Sequence, residues 1–222
     1  MLNNTKAVIF DLDGTLVDSM WVWTCIDDKF IKKYNLQIPD DFYKKMEGKG
    51  FTETAQYFLE IFPELDFTVD EIKAEWTQIA IDQYKNVVPL KKGVYEFLEF
   101  LNCNKIPVGI ASSNSRELVE TVTKARDISK FIKTISTSCE VKAGKPSPDV
   151  YLKAASNLGV DPKDCLVFED VPMGILAGKN AGMRVCAVKD DFSEDQINKK
   201  RELADYYIKD YTDIKNKTYE VL

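Results

Sequence analysis

The sequence predicts an α/β protein that has a parallel sheet as its core and one all-helical domain inserted into it. From residue 88 onward, short apolar segments rich in β-branched residues alternate with helical segments, which is typical of βαβ units. Between the first apolar strand and this region, residues 17–87 show helical periodicity without a strand signal. We therefore expect a core domain formed by residues 1–16 and 88–222, with residues 17–87 as the helical insertion.

The first strand, Ala7-Val8-Ile9-Phe10, ends on a polar turn that contains two aspartates. Its uninterrupted apolar character predicts burial on both faces, as in a parallel sheet. Asp11 and Asp13 follow at spacing i, i+2, and Gly14 permits the chain to leave strand geometry there. The carboxyl ends of strands are where open α/β sheets bind ligands. The two aspartates are therefore candidate site residues, although an Asx-rich turn that merely closes the strand would look similar.

The insertion is predicted to be a small helical bundle. Apolar residues recur every three or four positions between residues 17 and 36, and further helices are expected at about 40–47, 51–62 and 69–86. Thr68 and Glu71 form a capping-box pattern at the start of the last helix. An insertion after the first strand leaves the sheet at its ligand-binding edge, so it can cover the two aspartates as a lid.

The remaining elements alternate as a βαβ fold requires. A helix is expected around Val94–Leu101, one over residues 116–124 with Ser115 as N-cap, and one that Ser147 caps, with Pro148 at its first position, and that ends at Gly159. A fourth helix is expected to end at Gly182. Strands are expected at residues 107–111, 134–137, 166–168, 184–188 and 206–208.

Composition excludes several classes of function. The formal net charge of −6 argues against nucleic acid as a partner, because a phosphate backbone needs a basic surface. No apolar run is long enough to cross a bilayer, and the N-terminus shows no secretory signal. The five scattered cysteines indicate thiols in a reducing cytoplasm, with disulfides or a zinc site as the alternatives. We expect a cytoplasmic monomer that binds neither nucleic acid nor membrane.

The sequence contains no histidine. Ser-His-Asp triads, Cys-His dyads and histidine-ligated metals are therefore excluded. Acid–base chemistry near neutral pH has to come from carboxylates, lysine or tyrosine whose pKa is shifted by the surroundings.

Three later motifs follow predicted strands: Ser112-Ser113-Asn114, Gly144-Lys145-Pro146-Ser147-Pro148-Asp149 and Phe168-Glu169-Asp170. Singly, they could be a helix cap, a charged loop and a solvated acidic pair. Together with Asp11-Leu12-Asp13-Gly14-Thr15-Leu16-Val17-Asp18-Ser19, they resemble the ordered motifs of the haloacid dehalogenase (HAD) superfamily of phosphatases and phosphomutases. The resemblance covers nearly the whole chain. It implies a Rossmann-like parallel sheet core with an inserted all-helical cap domain, as in the β-phosphoglucomutase-like branch.

The chemistry of these groups, like the resemblance, indicates Mg²⁺-dependent phosphoryl transfer. Asp11 can attack phosphorus and form an aspartyl-phosphate. Mg²⁺ offsets the repulsion between the attacking carboxylate and the phosphate, and it prefers one or two carboxylates with phosphate and water. Asp11 and Asp170 are the expected direct ligands. The main-chain carbonyl of Asp13 and the Glu169 carboxylate are expected to complete or support the set.

The other catalytic assignments follow from charge and hydrogen bonding. Lys145 supplies a second cation, and Ser112 can donate a hydrogen bond to a phosphoryl oxygen. Asp13 is the expected general acid toward the leaving alkoxide and the general base toward water. Thr15 is expected to orient the turn.

Substrate contacts are expected from Ser113, Asn114, Arg116 and, in the insertion, Lys49. The favoured function is a phosphatase acting on a small phosphomonoester, such as a sugar phosphate. The alternatives are a phosphosugar mutase and a non-catalytic binding protein. Phe51 stands where the mutase cap has an arginine and Trp23 where it has a histidine, and both departures favour hydrolysis.

Overall fold

The computed structural model describes residues 1–42, 45 and 51–222. It divides into two compact units, one formed by Met1–Met20 with Tyr84–Leu222 and the other by Trp21–Gln83. The first boundary between the units, after Met20, lies four residues beyond the expected boundary after Leu16. Val17 belongs to the first unit because it forms bridges to Asp13 and Leu90 there.

The first unit is built on a seven-stranded sheet, so the predicted α/β class is confirmed. Its strand order is β3-β2-β1-β4-β5-β6-β7, and all pairs are parallel except β6 with β7. Within the sheet, Phe10 lies opposite Ile110 on one side and Phe168 on the other. The strands are β1 (Ala7–Phe10), β2 (Val108–Ser112), β3 (Ile132–Thr137), β4 (Cys165–Glu169), β5 (Arg184–Val188), β6 (Tyr206–Ile208) and β7 (Glu220–Val221).

Helices flank the sheet and form the second unit. Among the described helices, none combines the length and the apolar character that crossing a membrane would need. The described helices of seven or more residues are α1 (Trp21–Tyr34), α2 (Phe51–Ile61), α3 (Val69–Asn86), α4 (Val94–Cys103), α5 (Arg116–Ala125), α6 (Asp149–Leu158), α7 (Pro172–Asn180) and α8 (Ile197–Leu203). A shorter helix, α9 (Thr212–Asn216), follows β6.

The core of the first unit holds the carboxyl ends of β1 and β4 in fixed positions. Every residue of these two strands is buried. Phe10 stacks on Phe168 with ring centroids 5.0 Å apart, and Phe97 of α4 meets Phe168 edge-to-face at 5.5 Å. Each side chain buried in this way contributes roughly 1.5–3 kcal/mol. The turns that follow both strands therefore start from rigid ends.

The helical unit has an aromatic core of its own. Phe30, Phe58 and Trp76 are in mutual edge-to-face contact, with centroids 4.9–5.8 Å apart. The capping box is confirmed: Thr68 N donates to Glu71 Oε2 at 2.8 Å, and Glu71 N donates to Thr68 Oγ1 at 3.3 Å. Lys49 and half of the helix expected at 40–47 lie outside the described residues.

Several element boundaries differ from the sequence-based prediction. Helix α1 begins at Trp21 rather than near Val17, which is held in the core unit by its bridges. Helix α6 begins at Asp149 with Pro148 at the N-cap, because the Ser147 hydroxyl donates to the Asp149 carboxylate instead of capping a backbone N–H. Helix α7 ends at Asn180 rather than Gly182. The short elements α8, α9 and β7 were not predicted, since so few residues carry no readable periodicity.

Candidate active site

Three buried carboxylates meet where β1 and β4 end. Asp11, Glu169 and Asp170 each offer an oxygen atom, and these atoms lie within 4.8 Å of one another. The exposed fractions of the three residues are 7%, 0% and 1%. Carboxylates that are this close together and this well buried from solvent need cationic partners to remain ionised.

Lys145 is the cation that the chain itself provides. It comes from the loop before α6, and its Nζ lies 2.6 Å from Asp11 Oδ1 and 2.6 Å from Glu169 Oε1. Burial alone would lower the pKa of Lys145, but the Asp11 and Glu169 carboxylates outweigh it and raise that pKa well above its usual value. Lys145 is therefore a fixed positive charge.

One lysine does not neutralise the cluster. Burial raises the pKa of Asp11 to about 8, Lys145 opposes this rise, and the Glu169 carboxylate adds to it. Burial, with Glu169 and Asp11 nearby, also raises the pKa of Asp170 well above its usual value. The site therefore has an excess of negative charge that a further cation would relieve.

Glu169 supports the other groups. Its Oε1 accepts hydrogen bonds from Lys145 and from Tyr151 OH, the latter at 2.9 Å. Its Oε2 accepts from the backbone N–H groups of Asp170 and Val171 at 2.9 and 3.2 Å. Because both oxygens are engaged, Glu169 is better suited to orienting Lys145 and the loop after β4 than to direct metal ligation. Tyr151 was missed in the sequence, where it reads as an ordinary buried aromatic residue of α6.

Asp170 presents one unpartnered oxygen. Thr15 Oγ1 donates to Oδ1 at 2.9 Å, whereas Oδ2 is buried and has no hydrogen-bond partner among the described residues. A Cβ on Gly14, whose φ is +75°, would lie 2.2 Å from this Oδ2, so the turn needs glycine for both its conformation and the close approach. A buried carboxylate oxygen left without a donor is unfavourable. The all-oxygen donor set of Asp11 and Asp170 therefore fits a hard divalent cation such as Mg²⁺.

Asp13 has a separate set of donors. Ser19 Oγ donates to Oδ1 at 2.6 Å, and Tyr84 OH donates to the same oxygen. Asn114 Nδ2 donates to Asp13 Oδ2 at 3.1 Å and to Tyr84 OH at 3.1 Å. Burial and the Asp13 charge raise the pKa of Tyr84 well above its usual value, so Tyr84 keeps its proton and remains a donor. Tyr84 was not identified from the sequence.

The other predicted site residues are placed differently. Ser112, the last residue of β2, accepts from Asn114 N at 3.0 Å, so its own hydroxyl proton is not used in that bond. Asn114, expected to contact substrate, has its side-chain amide engaged by Asp13 and Tyr84. Ser113 is exposed. The guanidinium of Arg116 bonds to Glu140 at 2.6 Å and to the Ile135 carbonyl at 2.7 Å rather than to the carboxylate cluster. Lys49 lies outside the described residues.

A substitution at Gly174, in α7, is expected to damage the site without a change of any charged group. A Cβ at this position would lie 1.7 Å from Glu169 Oε1, so Gly174→Ala should displace the carboxylate that orients Lys145. We expect kcat to fall about 100-fold, as when one electrostatic contact is lost. Gly178→Ala is the matched control, because its Cβ would meet Val185 Cγ2 at 2.8 Å instead. Equal kcat values for the two variants, measured by steady-state kinetics, would contradict this prediction.

Comparison with known proteins shows the relationships of the chain. A model of the haloacid dehalogenase-like hydrolase family matches residues 8–188. The bifunctional riboflavin kinase/FMN phosphatase of Arabidopsis thaliana is 37% identical over 185 residues, which are 83% of this chain and 48% of that protein. This chain thus spans about half the length of that relative.

Two further comparisons cover most of both chains. The probable pseudouridine-5'-phosphatase of Drosophila melanogaster is 32% identical over 202 residues, 86% of this chain and 84% of that one. The crystal structure of β-phosphoglucomutase from Clostridium difficile has a TM-score of 0.76 and 22% identity, covering 96% and 95% of the two chains. The last of these shows a shared fold.

Proposed function

Because this chain belongs to the haloacid dehalogenase-like hydrolase family, we propose that it is a Mg²⁺-dependent phosphatase that hydrolyses a small phosphomonoester through an aspartyl-phosphate on Asp11. The observation that carries the proposal is the pairing of Asp11 with Lys145 beside a buried, unpartnered oxygen of Asp170. The phosphatase names of the two sequence relatives support the reaction class.

In the first half-reaction, Asp11 is the nucleophile. Lys145 binds Asp11 Oδ1 and orients the carboxylate, so that an Asp11 oxygen can form a bond to phosphorus while the bond to the leaving alkoxide breaks. The positive charge of Lys145 also reduces the repulsion between this carboxylate and the phosphate dianion. Ser112 donates its hydroxyl proton to a phosphoryl oxygen.

Asp13 moves the protons. It gives a proton to the leaving alkoxide, and it then takes one from the water that attacks the phosphorus of the aspartyl-phosphate. Inorganic phosphate leaves, and the Asp11 carboxylate is regenerated. Ser19, Tyr84 and Asn114 hold Asp13 through both steps.

Asp11 and Asp170 would hold the Mg²⁺, with the Asp13 carbonyl as a further ligand, while Glu169 supports the set. The bound ion supplies positive charge to the carboxylates and the phosphoryl oxygens. Thr15 keeps the Asp170 carboxylate oriented toward the site.

The two units of the chain are proposed to have different roles in the reaction. Residues of the core unit carry out the reaction, and the inserted helices act as a cap domain that selects the substrate. Ser113, Arg116 and Lys49 remain predicted substrate contacts. The protein is proposed to act as a cytoplasmic monomer, without nucleic acid or membrane partners. FMN and pseudouridine 5'-phosphate, which the names of the relatives suggest, are the first substrates to test alongside sugar phosphates.

Removal of Mg²⁺ tests the proposal directly. We expect EDTA to reduce release of inorganic phosphate from p-nitrophenyl phosphate at least about 100-fold, and excess MgCl₂ to restore it. CaCl₂ should inhibit instead, because Ca²⁺ imposes looser coordination than Mg²⁺. Turnover that is unaffected by EDTA would contradict the role of the metal.

The same assays separate the alternative functions. A phosphosugar mutase would convert a sugar phosphate into its isomer without releasing phosphate. A folded protein that releases no phosphate from any tested ester in the presence of Mg²⁺ would instead support a non-catalytic binding role.

A further inference from the structure

A buried lysine outside all of the sequence motifs lies behind the carboxylate cluster. Lys200, in α8, is 1% exposed. Its Nζ donates to Val188 O at 3.3 Å and to Ser193 Oγ at 3.1 Å, both of which are uncharged oxygens. A buried ammonium that is bonded to neutral acceptors carries a desolvation penalty that an apolar side chain would avoid. A contribution to folding stability therefore does not explain why a lysine stands at position 200.

The chain of hydrogen bonds from Lys200 leads to Asp170. Ser193 Oγ donates to the main-chain oxygen of Asp170 at 2.9 Å. An ammonium group can only donate, so the Ser193 hydroxyl has to accept from Lys200 and direct its single proton to Asp170. Lys200 thereby fixes the direction of the Ser193 hydrogen bond.

Ser193 itself is held in a rigid turn after β5. Asp190 Oδ1 accepts from Phe192 N at 3.0 Å, and Asp190 O accepts from Ser193 N at 3.3 Å. Lys91 Nζ donates to Asp190 Oδ2 at 2.6 Å and to Lys189 O at 2.7 Å. Ser193 is 2% exposed, and its position is therefore set by the fold rather than by solvent.

Asp170 is therefore held by hydrogen bonds to residues of three separate segments. Its N–H donates to Glu169 Oε2, its Oδ1 accepts from Thr15, and its main-chain oxygen accepts from Ser193. The atom left over is Oδ2, which is buried and unpartnered among the described residues. Fixing every other polar atom of the residue leaves this oxygen preorganised for a cation.

We propose that Lys200 and Ser193 form a positioning relay that holds Asp170 in the geometry for Mg²⁺ binding, without touching metal or substrate. The inference rests on the proposed function, because it assumes that Asp170 ligates Mg²⁺. Outer hydrogen-bond partners of metal ligands typically change metal affinity 10- to 100-fold when removed.

The test is the Mg²⁺ dissociation constant of the whole protein, measured by isothermal titration calorimetry with MgCl₂ and no phosphate ester. Ser193→Ala should raise this constant about 10-fold, and Ser193→Thr, which keeps the hydroxyl, should bind within about threefold of wild type. Ser136→Ala is the matched control: Ser136 is buried, but its hydroxyl accepts from Asn157 at 3.4 Å. Thermal melts of the metal-free variants check the fold. Ser193→Ala removes the hydrogen bond from the Lys200 ammonium and the one to Asp170 O, so a lower melting temperature is expected, and Mg²⁺ affinity is compared at a temperature where each variant is folded.

A double-mutant cycle with Lys200→Met tests whether the relay passes through the lysine. Removing the lysine charge alters Mg²⁺ affinity by itself, but this contribution is common to Lys200→Met and the double variant and cancels in the cycle. If Lys200 directs the Ser193 proton, Ser193→Ala should weaken binding less than about threefold in the Lys200→Met background.

Each outcome decides the inference. Mg²⁺ binding by Ser193→Ala that matches wild type, or an undiminished effect of Ser193→Ala in the Lys200→Met background, would overturn the relay alone. Lower thermal stability without a change in Mg²⁺ affinity would make the role purely structural and also overturn it. A wild-type protein that binds no Mg²⁺ would overturn the proposed metal site and the relay together.

Discussion

Asp11→Asn is expected to lower kcat by about 10⁴-fold or more while leaving the fold intact, as removal of a catalytic nucleophile does. Asparagine matches the shape of aspartate and can still accept a hydrogen bond from Lys145, so the surrounding contacts persist. Its neutral amide oxygen, however, is too weak a nucleophile to displace an alkoxide from phosphorus. Steady-state phosphate release at saturating Mg²⁺ measures the loss.

Covalent labelling provides the accompanying measurement. Rapid acid quench of the wild type with a ³²P-labelled ester should trap label on Asp11, and Asp11→Asn should trap none. Asp195→Asn, at an exposed position, is the matched control and should behave as wild type. Residual turnover within about tenfold of wild type, or label at another residue, would remove Asp11 as the nucleophile.

The same variant is expected to be more stable than the wild type when both are free of metal at pH 8. Burial raises the pKa of Asp11 from 3.8 to about 8 in the folded protein. Between these pH values the unfolded chain releases this proton while the folded chain retains it, so the wild type loses stability as pH rises. Asparagine has no such proton. The difference in melting temperature between Asp11→Asn and the wild type should therefore become smaller as pH falls toward 4. A difference that grows toward pH 4 would contradict a raised pKa of Asp11.

Lys145→Met is expected to damage both activity and stability. It leaves the buried carboxylates of Asp11 and Glu169 without their cation, and breaking a buried ion pair on one side typically costs about 3–5 kcal/mol. We expect kcat to fall about 1,000-fold, because charge stabilisation of the phosphoryl group and orientation of the nucleophile are lost together. Chemical denaturation and steady-state kinetics measure the two effects.

The pH dependence identifies the cause of the instability. Without Lys145, protonation of Asp11 and Asp170 is the remaining way to relieve their repulsion, so the destabilisation should be smaller at pH 5 than at pH 9. Lys163→Met is the control, because Lys163 is exposed and, in the part of the chain that the structure describes, pairs with Asp161 alone. A loss of stability in Lys145→Met that does not vary with pH would indicate a packing defect instead.

Local sequence signals predicted strands β1 to β6 and helices α1 to α7. The run of four apolar residues before Asp11 identified β1, and the Thr68/Glu71 pattern identified the start of α3, because buried strands and capped helices are specified by neighbouring residues. Three helix boundaries were wrong, and a distant partner decides one of them. Val17 continues a helical pattern in sequence, but its pairing with Leu90 keeps it out of α1.

The candidate site divides in the same way. Asp11, Lys145, Glu169 and Asp170 were identified because they form short motifs after predicted strands, and the structure brings them together. Tyr84, Tyr151, Ser193 and Lys200 were missed. Each is a single residue in an ordinary helix or turn, and its hydrogen-bond partners lie in other elements, from 7 residues away for Lys200 and Ser193 to 71 for Tyr84 and Asp13.

The sequence alone determined which chemical groups are present and at which edge of the sheet they stand, because each group directly follows a predicted strand of a parallel sheet. It also excluded histidine chemistry. Only the tertiary structure decided which oxygens are occupied: both oxygens of Glu169 are bonded, and Asp170 retains one that is not. That distinction separates the supporting carboxylate of Glu169 from the proposed metal ligand Asp170. It depends on distances between residues that the chain brings together only when it folds.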